Sequence, residues 1–566
     1  LYNKLKELPA AFGELQNSFL LDIYGNYLEI PPYEIANQGI KAIRDYFDAL
    51  EQQTRPLNES KLILIGDGGA GKTSLMKRLL EQNFNPQESQ THGININTLA
   101  LKHQNEDIKL HCWDFGGQQI MHATHQFFLS KRSLYLLVLD SRRETQPDYW
   151  LKHIQTFGNN APVIIAINKI DENPHFSLPK RKLMQQYPNI KHIAHISCAT
   201  QDGIDDLKTQ IQNLLADIEL LHTLFPATWF KVKTAITEQA TQTDFTSYEH
   251  FVNICKNNDI QKESEQNTLI NFLHDLGIVI HFQDRWLRET NVINPQWITE
   301  AIYSLINAKQ LVGGKLHREQ LTQILDNDIY PTRKHDYIIE LMRKFELCYA
   351  LNEHEFLLPD LFLTAEPDFE FDDSQALHFR FDYDFLPNSI FTRFIVRMHN
   401  DIHDNTYWRN GCLLHNPHYQ SSALIETENN QISVHITGQQ RREYLTVPQF
   451  ILNDLNNHFN KLKITTKIGL PDNPHITVDQ NYLMQLAKNG QTLYIPPETP
   501  DKTYNINELL GTVSTKNLDE NQVIQISEMI ANILGDKLDG RNVYIHGNVE
   551  KLNLNTGDNA EQILNT

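Results

Sequence analysis

Cysteine is scarce in this 566-residue chain and scattered along it, at Cys112, Cys198, Cys255, Cys348 and Cys412. An odd, unclustered set makes neither a disulfide framework nor a zinc site, and it predicts a reducing, cytoplasmic setting. Long hydrophobic runs are missing: none approaches the ~20 residues that span a bilayer. Without such a run no membrane span is expected, and no signal-peptide pattern opens the chain. The first residue is Leu1 rather than methionine, which suggests a fragment of something longer. Positive charge is also short. The 50 Lys and Arg against 70 Asp and Glu leave a formal charge of -20. That balance argues against a nucleic-acid or anionic-membrane surface, and no nucleic-acid partner is expected. What remains is ordinary globular material. A hydrophobic share of 40% supports packed cores, and the length predicts three or four domains.

One stretch organises the rest. Lys61 to Ile65 reads as a buried strand, and Gly66-Asp67-Gly68-Gly69-Ala70-Gly71-Lys72-Thr73-Ser74 follows as a glycine-rich turn running into a helix. Gly66 to Thr73 fits the P-loop pattern. Backbone N–H groups must curl around phosphate oxygens there, and glycine permits the positive φ and close approach. The helix start adds its partial positive end. Lys72 is expected to neutralise β- and γ-phosphates, and the Thr73 hydroxyl to complete a magnesium shell.

The amino-terminal segment repeats itself once. Asn3-Lys4-Leu5 and Asn26-Tyr27-Leu28 are related starts in the leucine-rich-repeat range, so the chain is expected to begin in the end of such a repeat. Tyr33 to Gln52 reads as an amphipathic helix and Gln52 to Ser60 as a linker.

From Lys61 onward strand and helix patterns alternate, which predicts an α/β sheet. The candidate strands are Lys61–Gly66, Ile94–Lys102, Ile108–Asp114, Leu134–Asp140, Val163–Asn168 and His192–Ser197. Thr91, 19 residues after Lys72, can offer its hydroxyl to magnesium and its N–H to a γ-phosphate. Asp114-Phe115-Gly116-Gly117-Gln118 follows an apolar strand. Asp114 can hold magnesium through water, the Gly117 N–H can meet the γ-phosphate, and Gln118 can orient an attacking water. Asn168-Lys169-Ile170-Asp171 closes another strand, and the Asp171 carboxylate suits guanine N1–H and the 2-amino group. Ser197-Cys198-Ala199 ends the last strand, where a backbone N–H can reach guanine O6. A P-loop kinase or ATPase has no use for Asn168-Lys169-x-Asp171. Nearby, His122 and His125 have metal-like spacing but read better as switch-helix packing. Arg142, after the fourth strand, is either a solvated strand-end charge or an arginine finger acting across a dimer.

Beyond Glu219 no nucleotide motif recurs. Helix Gln266–Leu276 capped by Gly277, then strands Ile278–Phe282 and Trp286–Val292, suggest a winged-helix-like subdomain. From Leu377 a second subdomain carries strand His378–Tyr383, helix Pro387–Ile402, a meander Gly411–His415, Ser422–Glu428 and Ile432–Thr437, and helix Val447–Phe459. Phe391, Phe394, Met398 and Trp408 are candidates for either core or a face between chains.

The five nucleotide motifs, in order, resemble the G1 to G5 elements of Ras-like small GTPases. Set between a repeat end and a long α+β tail with Trp229-Phe230-Lys231-Val232, Leu276-Gly277-Ile278-Val279, Asn294-Pro295-Gln296-Trp297 and Phe381-Asp382-Tyr383, they resemble the Roco family. That family couples a Roc GTPase to a COR domain and includes the leucine-rich-repeat kinases. No kinase signature follows here, so the chain is most similar to the bacterial repeat–Roc–COR type. The resemblance implies an α/β P-loop GTPase domain with a mixed six-stranded sheet, an α+β COR domain, and a short repeat remnant. The expected boundaries are 1–56 for the repeat end and linker helix, 57–220 for Roc, 221–372 for the winged-helix-like COR part, and 373–566 for the dimerising part and tail. It also implies a Mg²⁺-dependent GTPase cycling between GTP and GDP, a homodimer through COR, and protein effectors. The alternatives are a GTP-binding scaffold with little turnover and an acidic winged-helix adaptor. Gln118, Lys72 and Arg142 are the expected catalytic residues, and Thr73, Thr91 and Asp114 the metal set. The animal kinases carry Arg where this chain has Gln118.

Overall fold

The computed structural model describes residues 5–14, 23, 28–51, 53–89, 91, 93–103, 106–116, 133–143, 147–158, 161–216, 224–283, 287–457, 459, 462–511, 542–544 and 553–555. The chain forms two compact units, one from residues 1–307 with 324–341, the other from 308–323 with 342–566.

The first unit is built on a six-stranded mixed sheet. Its strands are β1 (Glu59–Ile65), β2 (Ile94–His103), β3 (Glu106–Phe115), β4 (Ser133–Asp140), β5 (Val163–Asn168) and β6 (Ile190–His195), in the order β2-β3-β1-β4-β5-β6. Only β2 and β3 pair antiparallel; the others run parallel. All eight residues of β4 and all six of β5 are buried, as expected of parallel strands covered on both faces. Alternate residues divide between two cores. Leu62 and Leu64 join Leu75 and Met76 of a helix at Lys72–Leu79 and Leu207 and Ile211 of one at Ile204–Ala216. Ile63 and Ile65 join Trp150, Leu151 and Ile154 of a helix at Pro147–Gly158.

Ahead of the sheet, the single helix expected from Tyr33 is two, Tyr33–Ala36 and α1 (Ile40–Leu50), because Gly39 takes a φ of 99° between them. The expected linker is also structured. Thr54–Pro56 pairs antiparallel with Leu224–Pro226, and Leu57 is buried with Phe225 and Trp229. Between the two related amino-terminal starts, Glu7 and Ile30 form a parallel bridge, and the Leu8 N–H donates to Ile30 O at 2.8 Å. Asn3, Lys4, Asn26 and Tyr27 lie outside the described residues.

After the sheet, helices α2 (Ala227–Gln239), α3 (Tyr248–Asn257), α4 (Glu263–Asp275) and α5 (Pro295–Ile306) belong to this unit, as does most of a helix at His335–Lys344. The expected hairpin is reduced. Thr290–Val292 pairs with Phe245–Ser247, and among the described residues only Ile280 bridges Val292 besides. His281 instead bonds the Asn291 side chain at 2.7 Å. Trp286 lies outside the described residues.

The second unit contains a seven-stranded antiparallel sheet with the predicted meander at one side. In Leu377–Tyr383, Phe379, Phe381 and Tyr383 are buried while the residues between them are partly open, the alternation of a sheet covered on one face. Phe391, Phe394, Met398 and Trp408, weighed above for a face between chains, are all at most 4% exposed within this one chain. They are core: the helix at Asn388–Met398 turns Phe391, Phe394 and Met398 inward, and Trp408 is buried at the end of strand Ile402–Trp408.

Candidate functional site

The glycines of the phosphate loop are forced by their neighbours. Gly66 has φ 140°, and a Cβ there would sit 2.2 Å from Val138 O. Gly71 has φ 95°, and a Cβ would sit 2.3 Å from Asn168 Nδ2. No side chain fits either place. The loop hands the chain to helix Lys72–Leu79 at Gly71. Lys72, 7% exposed, donates to Gly66 O at 2.8 Å and Asp67 O at 3.0 Å. Burial lowers its pKa, and the charges of Asp114 and Asp67 oppose that.

Three oxygen-bearing side chains converge beside the loop. Thr73 Oγ1 donates to Asp114 Oδ2 at 2.6 Å and lies 2.7 Å from Thr91 Oγ1, which is 3.3 Å from the same carboxylate oxygen. Asp114 is fully buried, and among the described residues its Oδ1 has no hydrogen-bond partner. Burial raises its pKa against the opposing bonds from Thr73 and Thr91. A buried carboxylate with one oxygen unsatisfied, facing two hydroxyls, is a fitting place for a hard cation. Among the described residues no group of three or more His, Cys, Asp or Glu is arranged to hold a metal. A magnesium site of hydroxyls and one carboxylate is of a different kind.

The base side is tied to the loop by two residues of one motif. Asn168 donates to Ala70 O at 2.9 Å and accepts from the Cys198 N–H at 3.1 Å. Lys169 donates to Gly69 O at 2.7 Å and Asp140 Oδ2 at 2.8 Å. A pocket of about 470 Å³ lies between these parts, lined among others by Gly68, Gly69, Gly71, Lys72, Thr73, Ser74, Thr91, Asn168, Lys169, Asp171, Cys198 and Ala199. That volume suits a small ligand.

Other expected residues sit elsewhere. The Asp67 carboxylate accepts from the Trp150 indole at 3.0 Å. The Ser197 N–H donates to Asp202 O, so at the base end Cys198 and Ala199 line the pocket. Arg142 is spoken for: it bonds Asp140 at 3.0 and 3.1 Å and Glu172 at 3.1 and 3.2 Å. Burial alone would raise the Asp140 carboxyl, but the bonds from Arg142 and Lys169 outweigh it and hold it at about 2. It is Arg143 whose guanidinium reaches the phosphate loop, 3.4 Å from Gly68 O. Gly117, Gln118, His122 and His125 lie outside the described residues.

Several residues here carried no motif. Phe84, Asn85, Pro86, Glu88 and Ser89 line the pocket from the loop after helix Lys72–Leu79, and Glu88 pairs with Lys77 at 2.8 Å. Arg78 donates to Cys198 O at 2.7 Å and Ala199 O at 3.2 Å, fastening the base loop to that helix. Bonds from a side chain to backbone carbonyls depend on no residue type at the accepting end, so no pattern announces them.

Comparison with known proteins agrees with this geometry. Residues 61–171 match the family described as Ras of Complex, Roc, domain of DAPkinase. Residues 226–362 and 374–512 match the families described as C-terminal of Roc, COR-A domain and COR-B domain. A probable serine/threonine-protein kinase pats1 of Dictyostelium discoideum is 28% identical over 77% of this chain and 15% of its own length. A Roc-COR-CHAT protease of Runella zeae is 26% identical over 82% of this chain and 53% of its own. The chain thus spans about half or less of these two relatives. A solved structure described as Methanosarcina barkeri Roco2 RocCORdC bound to GDP is 48% identical, covering 56% of this chain and 99% of that one, with a TM-score of 0.49. No described helix is long and apolar enough to cross a membrane. A Roc domain followed directly by COR-A and COR-B domains is the order of the Roco proteins, and the chain belongs to that family, with a Ras-like GTPase domain that supports guanine-nucleotide binding.

Proposed function

We propose that this protein binds GTP with Mg²⁺, hydrolyses it to GDP, and works as a molecular switch. The observation that carries this reading is the convergence of Thr73, Thr91 and Asp114 beside Lys72, with Asn168 joining that loop to the base end of the pocket. Thr73 and Thr91 would hold the cation directly and Asp114 through water. Magnesium, when bound, would neutralise charge on the β- and γ-phosphates. Lys72 would leave its carbonyl partners for phosphate oxygens, and the loop N–H groups would accept the developing charge without rearranging. Asp171 would select guanine, whose donor pair adenine lacks. Gln118 would orient the attacking water.

A COR-mediated homodimer, protein effectors and a cytoplasmic location belong to the same reading, as does an amino-terminal repeat end, supported by the parallel Glu7–Ile30 bridge. One observation favours a slower alternative, a GTP-binding scaffold with little turnover. Arg142 is engaged by Asp140 and Glu172 of its own chain. Fluorescent-nucleotide titration followed by single-turnover hydrolysis separates the two. Tight GTP binding with phosphate release supports the switch. Tight binding without release supports the scaffold, and equal affinity for ATP overturns both.

A further inference from the structure

Gly93 lies two residues after Thr91, where the chain enters β2. Its φ is 93°, and a Cβ placed on it would lie 3.0 Å from Tyr303 Cδ2 and 3.5 Å from Glu300 Cγ. Both side chains belong to α5, inside the region matched by the COR-A family and outside the nucleotide domain. Tyr303 is 2% exposed and packs in one cluster with Ile94, Trp113 and Phe115.

The register explains what that ring supports. Ile94 pairs with Phe115, and Asn95 with Asp114. Trp113 and Phe115 turn toward the Tyr303 cluster, so Asp114 between them turns to the opposite face, toward Thr73 and Thr91. Gly93 O also accepts the Gly116 N–H at 3.0 Å. The ring therefore sits under the point where both phosphate-sensing segments leave the sheet. Its own helix is fixed on the far side. Asn294 caps it, the Trp297 indole donates to Ile329 O at 2.9 Å, and Ile298, Ala301 and Leu305 are fully buried. A close-packed contact of this kind resists displacement, and a shift of Gly93 must move the ring.

We infer that Tyr303 is a positioning residue for the metal and terminal-phosphate side of the pocket, bracing Gly93 so that Thr91 stays turned toward Thr73 and Asp114. This inference rests on the nucleotide reading above and adds that the brace comes from COR-A of the same chain. The terminal phosphate and the cation use Thr91, and the diphosphate does not need it. Loss of the brace must then weaken triphosphate more than diphosphate binding, and triphosphate must in turn tighten the contact.

The test uses the full chain, fluorescent GDP, a non-hydrolysable GTP analogue and a Mg²⁺ titration. Tyr303→Ala should weaken the analogue about tenfold and raise the Mg²⁺ half-saturation, with GDP affinity within about twofold of the parent. Tyr303→Phe, which keeps the ring edge facing Gly93, should restore the analogue-to-GDP ratio. An unchanged ratio in Tyr303→Ala, or an equal loss for both nucleotides, overturns the brace while leaving the nucleotide site standing. A parent chain that binds neither nucleotide overturns the proposed function and the brace together. Should Tyr303→Ala fail to fold, hydrogen exchange on the unaltered chain decides. Protection of residues 295–306 should rise when the analogue replaces GDP, and identical exchange in the two states overturns the proposal.

Discussion

Asp171 lines the pocket at the end of the motif whose first two residues hold the loop together. In the reading proposed here its carboxylate accepts two hydrogen bonds from guanine. Asp171→Asn is expected to cut GTP affinity and improve xanthosine triphosphate, since one acceptor becomes a donor. Mispaired polar groups in such a site can cost ~10⁴-fold in selection. Competition binding with GTP, XTP and ATP checks this, and retained GTP preference would reassign the residue. Arg142 makes a contrasting case. An arginine acting on a transferring phosphate is worth about 10³-fold or more in rate. Held by Asp140 and Glu172, Arg142 is expected to matter for stability instead, so Arg142→Ala should slow single-turnover hydrolysis by less than about tenfold. The sign of its pH dependence follows from Asp140. The folded carboxyl, at about 2, lies below its unfolded value near ~3.9, so its contribution is complete above that value and disappears as pH falls through about 2. The stability gap between parent and Arg142→Ala should therefore be open at pH ~6 and close toward pH ~2 in urea melts. A gap that widens with acid would contradict this assignment.

At the scale of elements, β1 is held at both ends. Its carboxyl end becomes the phosphate loop, and at its amino end Glu59 accepts from Lys233 of α2 at 2.6 Å and meets His111 of β3 at 3.1 Å. Burial would raise the Glu59 carboxyl, but the His111 hydrogen bond and the Lys233 charge hold it at about 2. Lys233 and Glu59 are 6% and 8% exposed, so removing one partner strands the other in the interior. Lys233→Met is expected to cost about 3–5 kcal/mol, and adding Glu59→Gln should recover part of it. Thermal or urea unfolding of the two variants measures both, and a cost below about 1 kcal/mol would show that water reaches the pair. Neither partner stood out in the sequence. A lone Lys on a helix reads as solvent-facing, and its partner is 174 residues away. The phosphate loop was legible because several backbone constraints fall on one short stretch, and the sheet because buried parallel strands read as continuous apolar runs. The reduced hairpin at Ile280 was not, since Val292 pairs with Phe245 far back in the sequence, and the helical periodicity running through Tyr33–Gln52 hid the break at Gly39. Nor did any motif separate Arg142 from Arg143, whose directions are set by Asp140 and Glu172.

At the scale of the whole molecule, the question is whether the nucleotide reaches the oligomer. The chain carries COR-A and COR-B regions after the Roc domain, and in the reading proposed here COR holds two copies together. In the reading proposed here the γ-phosphate would order Thr91 and Gly117, so the two nucleotide states would differ at those two segments. If either state presents a different surface to COR or to a second copy, nucleotide binding and dimerisation must shift each other by the same factor. The aromatic stripe of helix Asn388–Met398 is interior, so a dimer contact would use other surface. We expect a homodimer with GDP or without nucleotide, weakened by a GTP analogue. Coupling of typical size, 5–150-fold, would appear as a mass change at protein concentrations near the dissociation constant of the dimer. Light-scattering mass across a dilution series in the three states measures it, repeated on a fragment ending near residue 220. A full-length chain that is monomeric in every state removes the model. A fragment that dimerises as well as the full chain moves the contact to Roc, and a dimer tightened by the analogue reverses the sign while keeping the linkage.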